Sequence, residues 1–294
     1  MKDWISAMRL RTLPLALASI GMGSFLAAAA GGFRWVIFLL CLLTTVSLQI
    51  LSNLANDYGD TVHGADSQDR IGPSRAVQQG LITRSSMRKA IGLATLVSLA
   101  LGLLLLWRAG VSREVFLIFA GLGLLAILAA ILYTNGFRPY GYLGLGDLSV
   151  FLFFGWLGVL GTYYLQTGDM DWQLLLPGAA CGLFTVAVLN VNNIRDMESD
   201  QQAGKYSIPV RLGKTKAIGY HLSLLILGLA CAALFVLLNY ETPYQWLFMA
   251  VVPLLWYNAN GIIKKPSGEL DPYLKQMALS TLFFVFTFGV GILL

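Results

Sequence analysis

The sequence predicts an all-α polytopic membrane protein, with nine transmembrane helices forming a single domain over residues 1–294. Three observations carry that expectation. Hydrophobic residues make up 57% of the chain and charged residues 12%, against about a quarter charged in soluble domains. Apolar stretches recur at the length of about 20 residues that a helix needs to cross the hydrocarbon layer. Lys and Arg are confined almost wholly to alternate loops, as they are on the cytoplasmic face of membrane proteins.

The stretches lie between polar breaks, taken in order. The first, 12–31, follows Arg9 and Arg11 directly and lacks a persuasive small-residue cleavage site, so it reads as a span and not a removable signal. The second, 35–54, begins beyond Arg34 and runs into an acid-rich patch. The third and fourth, 87–107 and 114–134, are separated by Arg108 and Arg113. The fifth, 147–166, follows a glycine-rich turn, and the sixth, 172–191, runs into a second acid-rich patch. The last three are 217–238, 244–262 and 276–294. Trp35, Trp107, Trp172 and Trp246 stand near span ends, where interfacial aromatic belts form. Cys41, Cys181 and Cys231 sit within apolar spans without partner spacing and read as reduced, packed hydrophobes.

Nine spans place the N-terminus and the loops after spans 2, 4, 6 and 8 on one side. Of the 20 Lys and Arg, only Arg34, Arg108 and Arg113 fall on the other. The expectation is therefore a plasma (inner) membrane protein with its N-terminus and both acid patches cytoplasmic and its C-terminus outside. The net charge of +5 then reflects topology and phosphate binding. It does not indicate nucleic acid as a partner, because the cations alternate with acids at span ends and form no continuous stripe.

The acid patches are Asn53 to Asp60 and Asn192 to Asp200. Carboxylates are costly at membrane depth and normally face a protein interior or a water-filled cavity, so each patch is a candidate site. On an ideal helix Asn53, Asp57 and Asp60 fall within roughly 60°, and Asn192, Asp196 and Asp200 within about 80°. Each set could then aim oxygens at one locus. Acids so close need a positive partner, and a hard divalent ion such as Mg²⁺ takes a few carboxylates while substrate phosphates complete its shell. The basic-side loops fall into similar pairs: each acid patch is followed by cations and a Gly/Pro turn, and four spans separate the members of each pair. That spacing hints at a four-helix internal repeat.

Two acid patches with Arg and Lys nearby, opening into a lipid-accessible bundle, suit a diphosphate attached to a long hydrocarbon. Metal-bound acids and nearby cations would stabilise the departing diphosphate as an allylic C–O bond ionises, and an aromatic acceptor would trap the cation.

The runs from Ser52 to Gly80 and from Asn190 to Gly213, with Arg9 through Leu17 and Tyr133 to Asp147, resemble the UbiA superfamily of intramembrane aromatic prenyltransferases. Within it they are most similar to the naphthoate-prenylating enzymes of menaquinone biosynthesis. The resemblance implies a UbiA-type bundle, a Mg²⁺-dependent transferase with Mn²⁺ as a substitute ion, and an all-trans polyprenyl diphosphate donor. The implied acceptor is 1,4-dihydroxy-2-naphthoate, which loses CO₂ as it is alkylated to demethylmenaquinol. By position it implies metal ligation by Asn56, Asp57, Asp60, Asn192, Asp196 and Asp200, with Asp57, Asp60, Asp196 and Asp200 as the catalytic acids. Diphosphate contacts would fall to Arg70, Arg75, Arg138 and Lys205, and substrate contacts to Asn53, Tyr133 and Arg9. The family's third acid of the first motif does not align, since position 64 is Gly and Asp66 comes two residues late.

Several residues carry blander readings. Asp69, Asp147 and Glu198 read as solvated or capping acids, and His63 and His221 as lone histidines. Gly141 to Gly146 lacks the strand that a dinucleotide fold requires. Two other functions remain open from the sequence: a related prenyltransferase with an acceptor such as 4-hydroxybenzoate or homogentisate, and an ion-coupled secondary transporter, which would place its acids nearer the midplane.

Overall fold

The computed structural model describes residues 2–64 and 75–294, except for the side chain of Arg11. Among the described residues the regular structure is helical. Eight helices are long and apolar enough to cross a membrane, and a ninth span results if a bent N-terminal pair is counted as one.

That pair is α1, Lys2–Met8, and α2, Leu13–Ala29, which meet at 48°. The bend lies at Arg9, whose φ of 48° makes it the one non-glycine among the described residues in the left-handed region. Such a conformation is costly for a residue with a Cβ and persists where its surroundings hold it. The expected span 12–31 is thus a 17-residue helix behind a break.

Helix α3, Trp35–Val62, has 28 residues and outruns its expected end at 54. At 1.5 Å per residue it is about 42 Å long, more than the roughly 30 Å hydrocarbon layer. The first acid patch is therefore carried on the last turns of the helix and not in a loop. Helices α4, Arg84–Ala109, and α5, Arg113–Leu132, follow; Thr83 and Ser112 cap them by accepting the N–H groups of Ser86 and Val115 at 3.2 and 3.3 Å. Both are largely lipid-facing, with Leu93, Leu96, Leu117 and Ile118 exposed.

Helix α6, Gly146–Thr167, contains a π-helical turn over Phe151–Leu157. The widened turn offers the Phe154 carbonyl to the Ser19 hydroxyl of α2 at 2.5 Å. Helix α7, Trp172–Arg195, is the centre of the bundle: 72% of its apolar window is buried, against 6% for α5. It reaches α6 through Gly155 and Gly182, where a Cβ on either would come within 3.0 Å of the other's Cα. Close backbone approach of this kind supplies the packing that lipid, itself apolar, cannot drive.

Two short helices, α8 Met197–Gln202 and α9 Ile208–Leu212, lead into α10, Lys214–Leu238. The last two spans are α11, Pro243–Lys264, and α12, Asp271–Leu293. They pack on α7, α10 and α2 around Phe184, Phe248, Phe284 and Phe288, all fully buried.

The tryptophans of the belt are exposed at Trp35, Trp107 and Trp172, while Trp246 is half-buried against the core. The three cysteines are free. Two polar residues differ from their simpler reading. Asp147 is buried and accepts the Tyr220 hydroxyl at 2.8 Å, so it is neither solvated nor a surface cap. His221, fully buried, faces Asn258 at 3.1 Å, and Asn258 donates to the Tyr273 carbonyl at 2.9 Å, which ties α10, α11 and α12 together.

Candidate active site

A cavity of about 450 Å³ opens among α2, α3, α4, α5, α6 and α7. Most of its wall is apolar, including Leu99, Leu103, Phe119 and Phe153. One end is polar and carries Asn56, Asp60, Arg75, Asn192, Asn193 and Lys205.

The α3 half of that end is built from the helical repeat. Residues 53, 56 and 60 recur at three- and four-residue spacing, so Asn53, Asn56 and Asp60 share the face that lines the cavity. Asp60 is buried, ion-paired with Arg75, and accepts the Tyr142 hydroxyl at 3.1 Å. Asp57 is also buried but does not line the cavity; its two oxygens take the N–H groups of Ala76 and Val77, each at 3.2 Å. This carboxylate pins the backbone that delivers Arg75. Asn53 spends its amide N–H groups on the Met8 carbonyl at 2.9 Å and Thr12 Oγ1 at 3.1 Å, and so clamps the bend between α1 and α2 onto α3.

Gly59 lets the α5–α6 connection close over this face. A Cβ there would stand 2.5 Å from both the carbonyl oxygen and the hydroxyl of Thr134. The Thr134 hydroxyl lies 3.2 Å from the Ala55 carbonyl and from Asn56 Oδ1, and Asn135 donates to the same carbonyl at 3.0 Å. Tyr133 lines the cavity beside them. Burial raises its hydroxyl pKa above the ordinary tyrosine range.

The second patch departs from the single-helix expectation. α7 ends at Arg195, Asp196 adopts φ −94° and ψ 10°, and a new helix starts at Met197. The cause is Arg195, which is 2% exposed. Its Nε and Nη2 each donate to Asp196 at 2.8 Å, Nη2 also reaches Asn192 Oδ1 at 2.9 Å, and Nη1 donates to Asp271 on α12 at 2.5 Å. Asp196 is folded back onto the guanidinium and does not line the cavity, whereas Asn192 and Asn193 do.

Asp200 then comes from α8 and pairs through Oδ1 with Lys205 Nζ at 3.2 Å; it stands behind Lys205, which lines the cavity while Asp200 itself does not. Burial lifts its carboxyl to about 6 in spite of that cation. For Lys205, burial opposes the charge, but Asp200 and Asp60 outweigh it and the pKa rises. The backbone N–H of Tyr206 donates to the Tyr142 carbonyl at 3.0 Å, fastening this loop to the one that carries Tyr142. Both acid patches thus meet around one cavity end through Asp60, Lys205 and Asn192.

Not every expected residue arrives there. Arg70 and Asp66 lie outside the described residues, as does Asp69. Arg9 lines the cavity on the α1–α2 side. Arg138 does not: the chain turns outward at Gly136, φ 101°, and the exposed guanidinium lies 5.8 Å from the exposed Phe137 ring. Its placement as a diphosphate contact is not supported by this geometry. Arg138→Ala is therefore expected to leave substrate KM within about twofold, whereas Lys205→Ala, which removes a buried cation, should cost at least tenfold in kcat/KM, or about 1.4 kcal/mol. Steady-state kinetics on both variants, normalised to folded protein, checks the contrast.

Sequence reasoning missed Arg195, Tyr142 and Asn193. Arg195 stood between two motif residues, but a cation at a span end serves equally as a topology anchor. Tyr142 belonged to a glycine-rich run that carried no chemical signal.

The donor set suits a hard divalent ion. It consists of carboxylate and amide oxygens, and among the described residues the buried oxygens Asp200 Oδ2 and Asn193 Oδ1 have no hydrogen-bond partner.

Comparison with known proteins adds three findings. The profile of the UbiA prenyltransferase family matches residues 16–292. The chain is 47% identical over 269 residues to a 1,4-dihydroxy-2-naphthoate octaprenyltransferase of Escherichia coli K12, covering 92% of this chain and 86% of that one. It is 45% identical over 298 residues to an enzyme of the same name from Haemophilus influenzae, covering 100% and 96%. In structure it resembles a UbiA homolog from Archaeoglobus fulgidus bound to GPP and Mg²⁺, with a TM-score of 0.63, 15% identity, and coverage of 98% and 100%.

Proposed function

The chain belongs to the UbiA prenyltransferase family, and from that premise we propose that it transfers a polyprenyl chain from an all-trans polyprenyl diphosphate to 1,4-dihydroxy-2-naphthoate. CO₂ and diphosphate leave, and the product is demethylmenaquinol, a step of menaquinone biosynthesis. The observation that carries this reading is one cavity with two chemistries: an end bearing Asp60, Asn56, Asn192, Arg75 and Lys205, and a long apolar wall. A diphosphate fits the first and a hydrocarbon the second.

Asn56, Asp60 and Asn192 on the cavity wall, with Asp200 through its unpartnered Oδ2, would hold a Mg²⁺ ion, with Mn²⁺ as a substitute, and when bound it would supply the charge that lets the diphosphate depart. Asp57 and Asp196 support this set from behind, one through the backbone at Ala76 and Val77 and the other through Arg195. Arg75, paired with Asp60, and Lys205, paired with Asp200, would take the remaining diphosphate charge. The electron pair of the allylic C–O bond leaves with diphosphate. A ring carbon of the acceptor supplies the new C–C bond, and the electrons of the ring–carboxylate bond stay with the ring as CO₂ leaves. The apolar wall excludes water that would otherwise quench the allylic cation.

Purified protein with Mg²⁺, labelled polyprenyl diphosphate and a panel of 1,4-dihydroxy-2-naphthoate, 4-hydroxybenzoate and homogentisate tests the reading. Diphosphate and CO₂ release in equal amounts, with the naphthoate alone, is expected. Turnover with another acid of the panel would reassign the acceptor, and the absence of turnover with all three would remove the prenyl-transfer reading.

The polar end faces the cytoplasm in this account, as the loop cations require. In a cysteine-free background, a single cysteine at exposed Gln201 should react with an impermeant maleimide only from the cytoplasmic side, and one at Gly168 only from outside. Reversed labelling would overturn the orientation.

A further inference from the structure

Below the diphosphate end, one polar group in the cavity wall has no task in the chemistry above. Gln49 lies on the same face of α3 as Asn53, Asn56 and Asp60, and all four line the cavity. At 1.5 Å per residue it sits about 10 Å along the helix from Asn56, toward the middle of the membrane. There it forms a small polar island with Thr12 and Asn53 in a wall that is otherwise mostly apolar. A hydrocarbon tail gains nothing from such an island.

The hydrogen bonds fix which way the Gln49 amide points. Thr12 Oγ1 donates its one hydrogen to the Arg9 carbonyl at 2.9 Å. It accepts from Asn53 Nδ2 at 3.1 Å and from Gln49 Nε2 at 3.2 Å. A hydroxyl has one donor and two acceptor positions, so Thr12 is saturated. With the Gln49 amide flipped, Thr12 could donate to it only by releasing the Arg9 carbonyl, so the flipped arrangement has one hydrogen bond fewer. Nε2 therefore faces Thr12, and Oε1 is buried with no hydrogen-bond partner among the described residues. A buried acceptor left unpaired costs about 1–3 kcal/mol, and a ligand that donates to it recovers that cost.

We infer that Gln49 Oε1 is the recognition point for a hydroxyl of the aromatic acceptor, and that it accepts the 4-hydroxyl of 1,4-dihydroxy-2-naphthoate. This rests on the prenyl-transfer reading and adds the register of the ring. The 1-hydroxyl is ortho to the carboxylate and donates to it internally, so the 4-hydroxyl is the donor left for the protein. The carboxylate, on the same ring, falls to the cationic Arg9 side of the island, which Thr12 joins to Gln49 through the Arg9 carbonyl. Two fixed substituents hold the ring against the first carbon of the donor and distinguish it from a tail that slides past.

The test pairs a side-chain deletion with a ligand deletion. Gln49→Leu keeps the side-chain bulk and removes the acceptor oxygen. It should raise the KM for 1,4-dihydroxy-2-naphthoate about tenfold, the loss of one hydrogen bond to a buried group, with the donor KM within about twofold. The dissociation constant of 1-hydroxy-2-naphthoate, which lacks the 4-hydroxyl, is read by its fluorescence and should be the same for wild type and Gln49→Leu. Gln49→Met, close in size and shape and without an acceptor oxygen, guards against misfolding and should raise the acceptor KM as far. An unchanged acceptor KM in either variant overturns the inference, and so does an equal loss of affinity for both naphthoates. A wild-type protein that transfers no prenyl group to the dihydroxynaphthoate instead sinks the prenyl-transfer reading on which the inference stands.

Discussion

Asp60→Asn is expected to lower turnover by at least about a hundredfold, or roughly 2.7 kcal/mol of transition-state stabilisation, in protein that still folds in detergent. Three features concentrate the effect there. Asp60 lines the cavity, so it is one of the few carboxylates able to face a diphosphate–metal complex directly. It is buried and paired with Arg75, so neutralising it removes a charge where solvent cannot replace it. It also accepts the Tyr142 hydroxyl and thereby orders the loop fastened to Tyr206. Asparagine preserves shape and one acceptor, which separates loss of charge from loss of packing. Single-turnover kinetics with saturating donor and Mg²⁺, alongside a thermal melt, is the measurement. Activity within tenfold of wild type would remove Asp60 from the metal set.

Arg195 should produce the second large effect, by a different route. It does not line the cavity, yet its guanidinium holds Asp196, Asn192 and Asp271 together from α7, the α7–α8 break and α12. Removing one partner of a buried ion pair costs about 3–5 kcal/mol, because the remaining charge is stranded. Arg195→Ala is therefore expected to fold poorly. Arg195→Lys keeps the charge but loses the planar fork, and one ammonium cannot reproduce the two parallel bonds to Asp196 while also reaching Asp271. It should fold, with kcat reduced by about tenfold or more and Mn²⁺ affinity, read by electron paramagnetic resonance, weakened in parallel. A purely structural role predicts instead a lower melting temperature with kcat and Mn²⁺ affinity unchanged in the folded fraction.

These two residues also mark what could be read before any coordinates existed. Composition and the 20-residue periodicity specify an α-helical membrane bundle, because a bilayer leaves a chain few other ways to satisfy its backbone. The family profile over residues 16–292 agrees with that reading. Asp60 was legible for the same reason: a carboxylate next to an apolar stretch has few benign explanations. The path of the backbone through the site was less legible. An ideal helix through Asn192, Asp196 and Asp200 aims all three inward. The chain breaks at Asp196 because the adjacent Arg195 offers a stronger partner than continued helix does. Nothing in the spacing signals that competition, since it depends on Asp271, which is remote in sequence. Arg138 fails in the converse way, because a cation after a span looks the same in sequence whether the following turn faces in or out. Gln49 escaped notice because a single amide inside an apolar segment reads as an ordinary interruption, and its orphaned oxygen appears only once Thr12 is seen to be saturated.

The central claim is that both acid patches serve one diphosphate at one end of one cavity. The structure of the protein with a non-reactive thiodiphosphate analogue of the polyprenyl donor and Mn²⁺, with the metal located by its anomalous signal, addresses it directly. The account predicts the metal at Asn56, Asp60, Asn192 and Asp200 and the diphosphate beside it at Arg75 and Lys205, with the hydrocarbon running along Leu103 and Phe119 into the apolar part of the cavity. A diphosphate bound away from Asp60 and Lys205, or metal held by one patch while the other faces solvent, would contradict it.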